Sequence, residues 1–270
     1  FNTSYAMYLA VLGSMIHGLT VPGSIEAAQR AKGYNKGMFE WLRKAPWGNP
    51  AFSGMFLSLV MFGFLGGISG VVMGTEQINL IMHNTLYVPG HFHATVVAGT
   101  TLAFMAITYL LVPLIFRRHV MFPTVAKLQP YVFGIGIAGI SLFMMGAGTL
   151  GVPRRHWDIT FADALTTFQF SPAAFLMLAL NGLSAILAAL GGAMYIVVVV
   201  GSVFFGRRIG DTEKVALGPA TGTQAAAAVA NYGSAGTLRI PGTVALVGVF
   251  FVSFVLYYFV NWKYLAELWP

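Results

Sequence analysis

Six long apolar stretches divide this chain, and each is long enough to cross a lipid bilayer as a helix. The hydrocarbon core of a membrane is ~30 Å thick, which takes about 20 helical residues. Since lipid offers no partners for backbone polar groups, such stretches predict helices. The sequence therefore predicts an all-α membrane protein with about six transmembrane helices, over approximately residues 4–25, 51–73, 89–116, 128–150, 172–205 and 240–262.

Composition agrees with this fold class. Only 9% of the 270 residues are charged, against about 25% in soluble domains. The whole chain is interpreted as one polytopic membrane segment, with a loop over residues 206–239 between the last two spans. The fifth span is overlong and is expected to tilt or to project beyond the bilayer.

Proline positions predict where two of the spans begin. Proline is tolerated in the first helical turn, because its missing N–H has no partner there anyway. Ser171-Pro172 and Gln129-Pro130 are accordingly predicted to begin the fifth and fourth helices.

The N-terminus and the absence of cysteine limit the alternatives. The chain starts at Phe1 with no initiator methionine and no basic leader, so it is expected to be part of a longer polypeptide. Zero cysteines remove disulfides, iron–sulfur clusters and thiolate zinc sites, so any metal must be held by His, carboxylate or Met. Aromatic residues at 14% are ordinary for lipid-facing helices, and we predict no nucleic-acid partner.

The basic residues predict the orientation of the helices. Loops after spans one, three and five hold most of the lysines and arginines, and by the positive-inside bias they are predicted to be cytoplasmic. The loops over residues 74–88 and 151–171 are then predicted to face outward. The basic residues of the inner loops are Arg30, Lys32, Lys36, Arg43, Lys44, Arg117, Arg118, Lys127, Arg207, Arg208, Lys214 and Arg239.

The most informative local feature is a pair of histidines, His91 and His93, near the outer end of span three. A helix turns by ~100° per residue, so the two side chains point to nearly opposite sides and cannot easily bind one metal. They are suited to two separate cofactors on either side of one helix, and imidazole is a usual axial ligand of haem iron. Gly90 is interpreted as a place where a flat macrocycle could approach the helix. The alternative is that both histidines are hydrogen-bonded packing residues.

Arg154 and Arg155 follow Pro153 in the next outer loop, on the predicted side of the histidine pair. Two adjacent guanidiniums in an outer loop predict an anionic partner nearby, and haem propionates would supply one. The alternative is an interfacial pair that reaches lipid headgroups. His83, Asn84 and Glu76 lie in the preceding outer loop and could serve propionates, water or a proton exit.

Two further patterns lie in spans one and two. Ser14, His17 and Thr20 share a ~120° sector of span one and could relay protons from the cytoplasm. Equally, the hydroxyls could bond carbonyls of their own helix and His17 a neighbouring helix. The glycines at 66, 67, 70 and 74 predict close helix packing.

In these residues the chain resembles subunit I of the haem–copper oxygen reductases, most closely the B branch, the ba3-type cytochrome c oxidases. The resemblance rests on three strings in the family's order and spacing, and it covers nearly the whole chain as the C-terminal half of that subunit. The strings are FEWLRKAPWGNPAF over residues 39–52, HNTLYVPGHFH over 83–93 and VPRR over 152–155.

The resemblance implies roles for the residues above. His91 would bind the iron of a high-spin, a-type haem where oxygen is reduced, and is the implied catalytic residue. His93 would bind the low-spin haem iron, of b or a type. Arg154, Arg155 and His83 would hold propionates, and the Ser14–Thr20 sector would match the proton-input path, although His17 replaces a threonine there. The copper ligands, the crosslinked tyrosine and the second axial histidine of the low-spin haem belong to earlier helices outside this stretch.

The implied activity is that of a cytochrome c oxidase, which reduces O2 to water and is coupled to proton translocation. Implied partners are the N-terminal half of subunit I, a copper-containing subunit II, cytochrome c and membrane lipid, in a prokaryotic cytoplasmic membrane. Two alternatives stay open: a nitric oxide reductase or quinol oxidase relative, and, in a different class, a proton-coupled transporter without haem.

Overall fold

The computed structural model describes residues 2–155, 169–210, 212–213, 215 and 239–268, and within them the fold is built from helices. The all-α prediction is confirmed. Among these described residues, four helices are long and apolar enough to cross a membrane: α3 (Pro50–Gly74), α5 (Tyr87–Phe116), α6 (Pro123–Thr149) and α7 (Pro172–Phe205). The first and last predicted spans are also helical, as α1 (Asn2–Ala31) and α8 (Pro241–Leu268). Two short helices, α2 (Glu40–Arg43) and α4 (Glu76–Met82), lie in the loops.

Of the two helix starts predicted from proline, one is confirmed and the other is wrong. Ser171 caps α7, its side chain accepting a hydrogen bond from the Ala174 amide, and Pro172 is the first helical residue. The prediction that Gln129-Pro130 begins a helix is wrong, because α6 already begins at Pro123 and Pro130 lies inside it. Gln129 is fully buried, and it accepts a hydrogen bond from the Tyr109 hydroxyl at 3.1 Å.

Small residues allow α6 and α7 to pack closely. A Cβ at Gly136 would lie 2.7 Å from the Cα of Ala188, and one at Gly191 would lie 2.6 Å from the Cα of Phe133. Side chains would separate the two backbones, and in lipid such close packing is a main source of helix association. Around this contact lies a core of residues from α5, α6 and α7: Ala98, Leu102, Phe133, Ile137, Ile140 and Ala188.

The loops gather at two ends of the bundle. At one end Thr85 and Pro153 form an antiparallel bridge. At the other end Arg118 and Arg208 form such a bridge, and the Tyr131 hydroxyl donates to the Trp47 carbonyl at 2.8 Å. The basic loops after α1, α5 and α7 therefore share one end. Most of the predicted inner loop, including residues 216–238, lies outside the described residues.

Candidate functional site

The two histidines lie on α5 at the point where its winding changes. Residues Tyr87–Phe92 are α-helical and residues His93–Thr101 form a π-helical segment. The neighbouring helix α3 has a matching π-helical segment over Phe62–Gly67, and the two wide segments pack against each other. Such segments are rare and often lie at functional sites. The apolar pattern did not predict them, because it reports burial rather than the width of a turn.

His91 faces α3. Its Nδ1 lies 2.9 Å from the Oγ of Ser69. A Cβ at Gly70 would lie 3.0 Å from the Cε1 of His91, so the ring lies against a position without a side chain. The predicted close packing at Gly66 is also present, since a Cβ there would lie 2.7 Å from Thr95 Cγ2.

His93 is anchored differently, through its own helix. Its Nδ1 lies 2.7 Å from the carbonyl oxygen of Pro89. A carbonyl oxygen only accepts, so Nδ1 carries the proton and donates. The lone pair of His93 is therefore on Nε2, where it can bind a metal.

The hydrogen bonds of Ser69 assign the same tautomer to His91. The Ser69 hydroxyl lies in hydrogen-bonding contact with the Leu65 carbonyl and 3.1 Å from that of Gly66. Its single proton is donated to these carbonyls, so its oxygen accepts from Nδ1 of His91. Nε2 of His91 then also keeps its lone pair. Histidine ligands are commonly oriented in this way by a partner on the other ring nitrogen.

These histidines can each offer a metal one protein ligand. In the part of the chain that the structure describes, no three His, Asp or Glu side chains come together as a metal site. A site with a single imidazole suits a metal whose remaining ligands come from a prosthetic group, as in haem. Phe92, between the two histidines, is 51% exposed, and its ring centroid lies 5.9 Å from that of His91. The two histidines therefore each fit the ligation of a haem iron through Nε2.

Gly90 does not have the predicted role. It is buried against α6, where a Cβ would lie 2.7 Å from Met145 Cγ and 3.0 Å from the Ser141 carbonyl oxygen. The interpretation that it admits a macrocycle is wrong. Its missing side chain lets α5 and α6 approach each other at the residue directly before His91.

The two loops that carry the other candidate residues are joined. Leu86 N donates to Val152 O at 2.9 Å, and Arg154 N donates to Asn84 O at 2.8 Å. The Arg154 guanidinium also donates to Asn84 Oδ1, from Nε at 3.2 Å and from Nη2 at 2.9 Å. Arg154 is thus held in place by Asn84, while Arg155 and His83 are exposed. The structure brings all four residues to the end of the bundle from which α5 starts.

Two of the three candidate proton-path residues share a cavity. A space of about 680 Å³ lies between α1, α3, α5 and α8, and Ser14 and His17 are on its wall. The lining is mostly apolar, with Ser58 and Thr100 as its other polar side chains, and it does not include Thr20. Thr20 is exposed, and its carbonyl accepts a hydrogen bond from Ser24 Oγ at 2.7 Å.

Sequence reasoning missed a buried charge at the other end of α1. Glu26 is fully buried, and its Oε1 lies 2.8 Å from Nε of Arg30. The same carboxylate accepts hydrogen bonds from the first turn of α8: from Gly242 N at 3.0 Å, from Thr243 N at 2.6 Å and from Thr243 Oγ1 at 2.8 Å. Glu26 thus caps a helix that begins more than 200 residues later in the chain. The only local signal was the Glu–Arg spacing of four residues.

Comparison with known proteins gives a consistent picture. The family model described as cytochrome c and quinol oxidase polypeptide I matches residues 3–183. Subunit 1 of cytochrome c oxidase from Thermus thermophilus is 36% identical over 155 residues, 56% of this chain and 27% of that subunit. Subunit 1 of a quinol oxidase from Bacillus spizizenii is 28% identical over 136 residues, 49% of this chain and 21% of that subunit.

A solved structure is also similar. It is described as a haem–copper terminal oxidase dimer, and one of its chains matches with a TM-score of 0.68 and 28% sequence identity. The match covers 89% of this chain and 44% of the solved one. The chain therefore spans less than half the length of these relatives.

Proposed function

Because this chain belongs to the haem–copper oxidase subunit I family, we propose that it forms the C-terminal half of the catalytic subunit of a terminal respiratory oxidase. The complete enzyme would reduce oxygen to water and couple this reaction to proton translocation. The observation that carries the proposal is the pair His91 and His93, each anchored through Nδ1 with Nε2 left for a metal.

The two histidines have different roles in this proposal. His91 would hold the high-spin haem iron on the side facing α3, and His93 the low-spin haem iron. When bound, the haems supply the electron path and the iron site for oxygen. Ser69 keeps the His91 ring in one orientation and one tautomer, and the Pro89 carbonyl does the same for His93. The protein would thereby orient both iron-binding nitrogens from one helix.

Arg154, Arg155 and His83 would hold propionates. The bond between Arg154 and Asn84 fixes one guanidinium beside the start of α5, with further N–H donors left for an anion. Arg155 and His83 are exposed at the same end. This end would face outward, since the basic loops after α1, α5 and α7 lie at the opposite end.

For proton input we propose the cavity wall formed by Ser14 and His17, with Thr20 at the cytoplasmic side. Groups from the N-terminal half of the subunit would complete this path, because the lining within this chain is mostly apolar. Glu26 is not assigned to it. Its carboxylate is already engaged by Arg30 and by three donors of α8.

The electron donor would be cytochrome c, and its electrons would pass through a copper-containing subunit II. The copper of the oxygen site would be bound by helices earlier in the subunit. The cytochrome c oxidase subunits among the relatives favour this donor, as does the resemblance of three strings to the B branch, although quinol oxidase subunits also match. Turnover of the purified complex with reduced cytochrome c, but not with quinol, is expected. The complex would lie in a prokaryotic cytoplasmic membrane.

The direct test is a reduced-minus-oxidised visible spectrum of the purified complex, recorded with and without carbon monoxide. Two haems, of which one binds carbon monoxide, are expected from the separate roles of His91 and His93. A complex without haem would contradict the proposal and would favour the alternative of a proton-coupled transporter. Turnover of nitric oxide but not of oxygen would favour a nitric oxide reductase.

A further inference from the structure

Two pairs of adjacent arginines face each other at the end of the bundle opposite the histidines. Arg117 and Arg118 follow the last residue of α5, and Arg207 and Arg208 follow the end of α7. Arg118 and Arg208 are opposite each other in an antiparallel bridge. Backbone bonds extend it, from His119 N to Arg207 O at 2.9 Å and from Ile209 N to Arg117 O at 2.8 Å. We call these four residues the paired-arginine cluster.

This arrangement costs energy unless an anion is present. Like charges directly opposite each other across a strand pair are destabilising. Cations after a helix C-terminus are favourable by themselves, but that effect does not require the two pairs to face each other. The fold therefore concentrates positive charge beyond what the helix ends explain.

Within the described residues, no carboxylate is bonded to the cluster. Arg117 donates to the Gly210 and Glu213 carbonyls, and Arg118 donates to the Gly206 carbonyl at 2.7 Å. The carboxylate of Glu213 lies 3.8 Å from His119 instead. Arg117 and Arg118 thus stabilise the turn after α7 through carbonyl oxygens, and among the described residues neither forms an ion pair with a carboxylate.

The other pair is available to a ligand. Arg207 and Arg208 are both exposed, and Arg207 contacts the Nε2 of His119 at 2.9 Å. Directly before the cluster, both helices present apolar side chains outward, with Phe205 79% exposed and Ile115 64% exposed. Phe116 and Phe204 are exposed as well. An apolar surface that ends in guanidiniums has the same order of groups as a phospholipid, with its chains below its phosphate.

We propose that the paired-arginine cluster binds the phosphate headgroup of an anionic membrane phospholipid between the ends of α5 and α7. Arg207 and Arg208 contact the phosphate, whose oxygens match the guanidinium fork. The acyl chains lie along the exposed apolar side chains before the cluster. The lipid supplies the negative charge that offsets the repulsion between Arg118 and Arg208.

The test uses the complete oxidase complex in nanodiscs of phosphatidylcholine with a minor fraction of phosphatidylglycerol. Native mass spectrometry counts the phosphatidylglycerol that stays bound to the complex. The test variant is Arg207→Gln/Arg208→Gln. The matched control is Lys32→Gln/Lys36→Gln, which removes the same charge from two exposed lysines of another loop at this end.

The test variant is expected to retain one phosphatidylglycerol fewer than the control, with an affinity loss on the order of ten- to thirty-fold for two arginines near the membrane surface. Equal retention by test variant and control overturns the proposal. Displacement of the lipid by millimolar inorganic phosphate would identify a site for a free ion and would overturn it as well. If the double variant does not assemble, Arg208→Gln alone carries the same comparison, with Lys36→Gln as its control.

Discussion

Ser69 and His91 are joined across two helices by a 2.9 Å contact between Oγ and Nδ1. Ser69 lies just after the π-helical segment of α3, and His91 lies just before that of α5. The serine hydroxyl is anchored to carbonyls of its own helix, so its oxygen is a fixed acceptor. The proposed iron-binding nitrogen of His91 is thus oriented by a residue outside its own helix.

We predict that Ser69→Ala retains both haems but changes the high-spin one. Loss of an acceptor at Nδ1 makes the imidazole a weaker ligand, and such changes alter metal affinity by about ten-fold or more. The iron–histidine stretching frequency in resonance Raman spectra should fall. The midpoint potential should rise by on the order of 60 mV, the one-electron equivalent of a ten-fold difference between the two oxidation states.

The matched control is Ser53→Ala, which removes another buried serine of α3, one whose hydroxyl donates to the carbonyls of the helix cap Asn49 and of Pro50. It should leave the Raman band unchanged. The role of Ser69 would be refuted by a Ser69→Ala band at the wild-type frequency. A complex without haem in wild type would instead refute the proposed function.

A second prediction separates the two histidines. His93→Leu should remove the low-spin haem band and keep the carbon monoxide response, whereas His91→Leu should remove that response. The reason is that each ring offers one Nε2 and the two are anchored on different partners, Ser69 and Pro89. Difference spectra of both variants provide the measurement. His119→Gln, at the opposite end of the bundle, should keep both haems; loss of both haems from either single variant would contradict separate sites.

A third prediction concerns the cap of α8. Glu26→Gln should lower the free energy of unfolding by about 3–5 kcal/mol, the usual cost of removing one partner from a buried ion pair. Arg30 would be left buried without its carboxylate, and the glutamine amide would face the donors of α8. The measurements are the thermal midpoint of the complex and hydrogen exchange at the Gly242 and Thr243 amides, which should become faster.

Glu76→Gln is the control for that substitution, because it makes the same chemical change at an exposed residue in another loop. Its midpoint and its exchange at Gly242 and Thr243 should match those of the wild type. If Glu26→Gln also left the two amides protected, the carboxylate would not be their cap.

The sequence predicted the structural features that depend on residues close together in the chain. It did not predict the contacts that depend on how two helices are aligned along each other. Hydropathy located the helices, and the ~100° turn per residue predicts that His91 and His93 point to different sides. The Ser69 contact requires the relative register of α3 and α5, which two π-helical segments shift. The contact between Glu26 and Thr243 joins α1 to α8, whose residues are more than 200 positions apart in the chain. The prolines did not determine where α6 begins, since Pro123 and Pro130 both fit a helix start and the helix begins at Pro123.

The last prediction tests the packing role of Gly90. Gly90→Ala should lower the free energy of unfolding by about 1–3 kcal/mol, as overpacking does in a close-packed core. The added Cβ would meet backbone atoms of α6, the Met145 nitrogen at 2.8 Å and the Ser141 carbonyl at 3.0 Å, which cannot rotate away. Gly182→Ala is the control, because a Cβ there would meet nothing within 4 Å. The thermal midpoint should fall only for Gly90→Ala. An unchanged midpoint together with loss of one haem would instead mean that Gly90 faces a macrocycle after all.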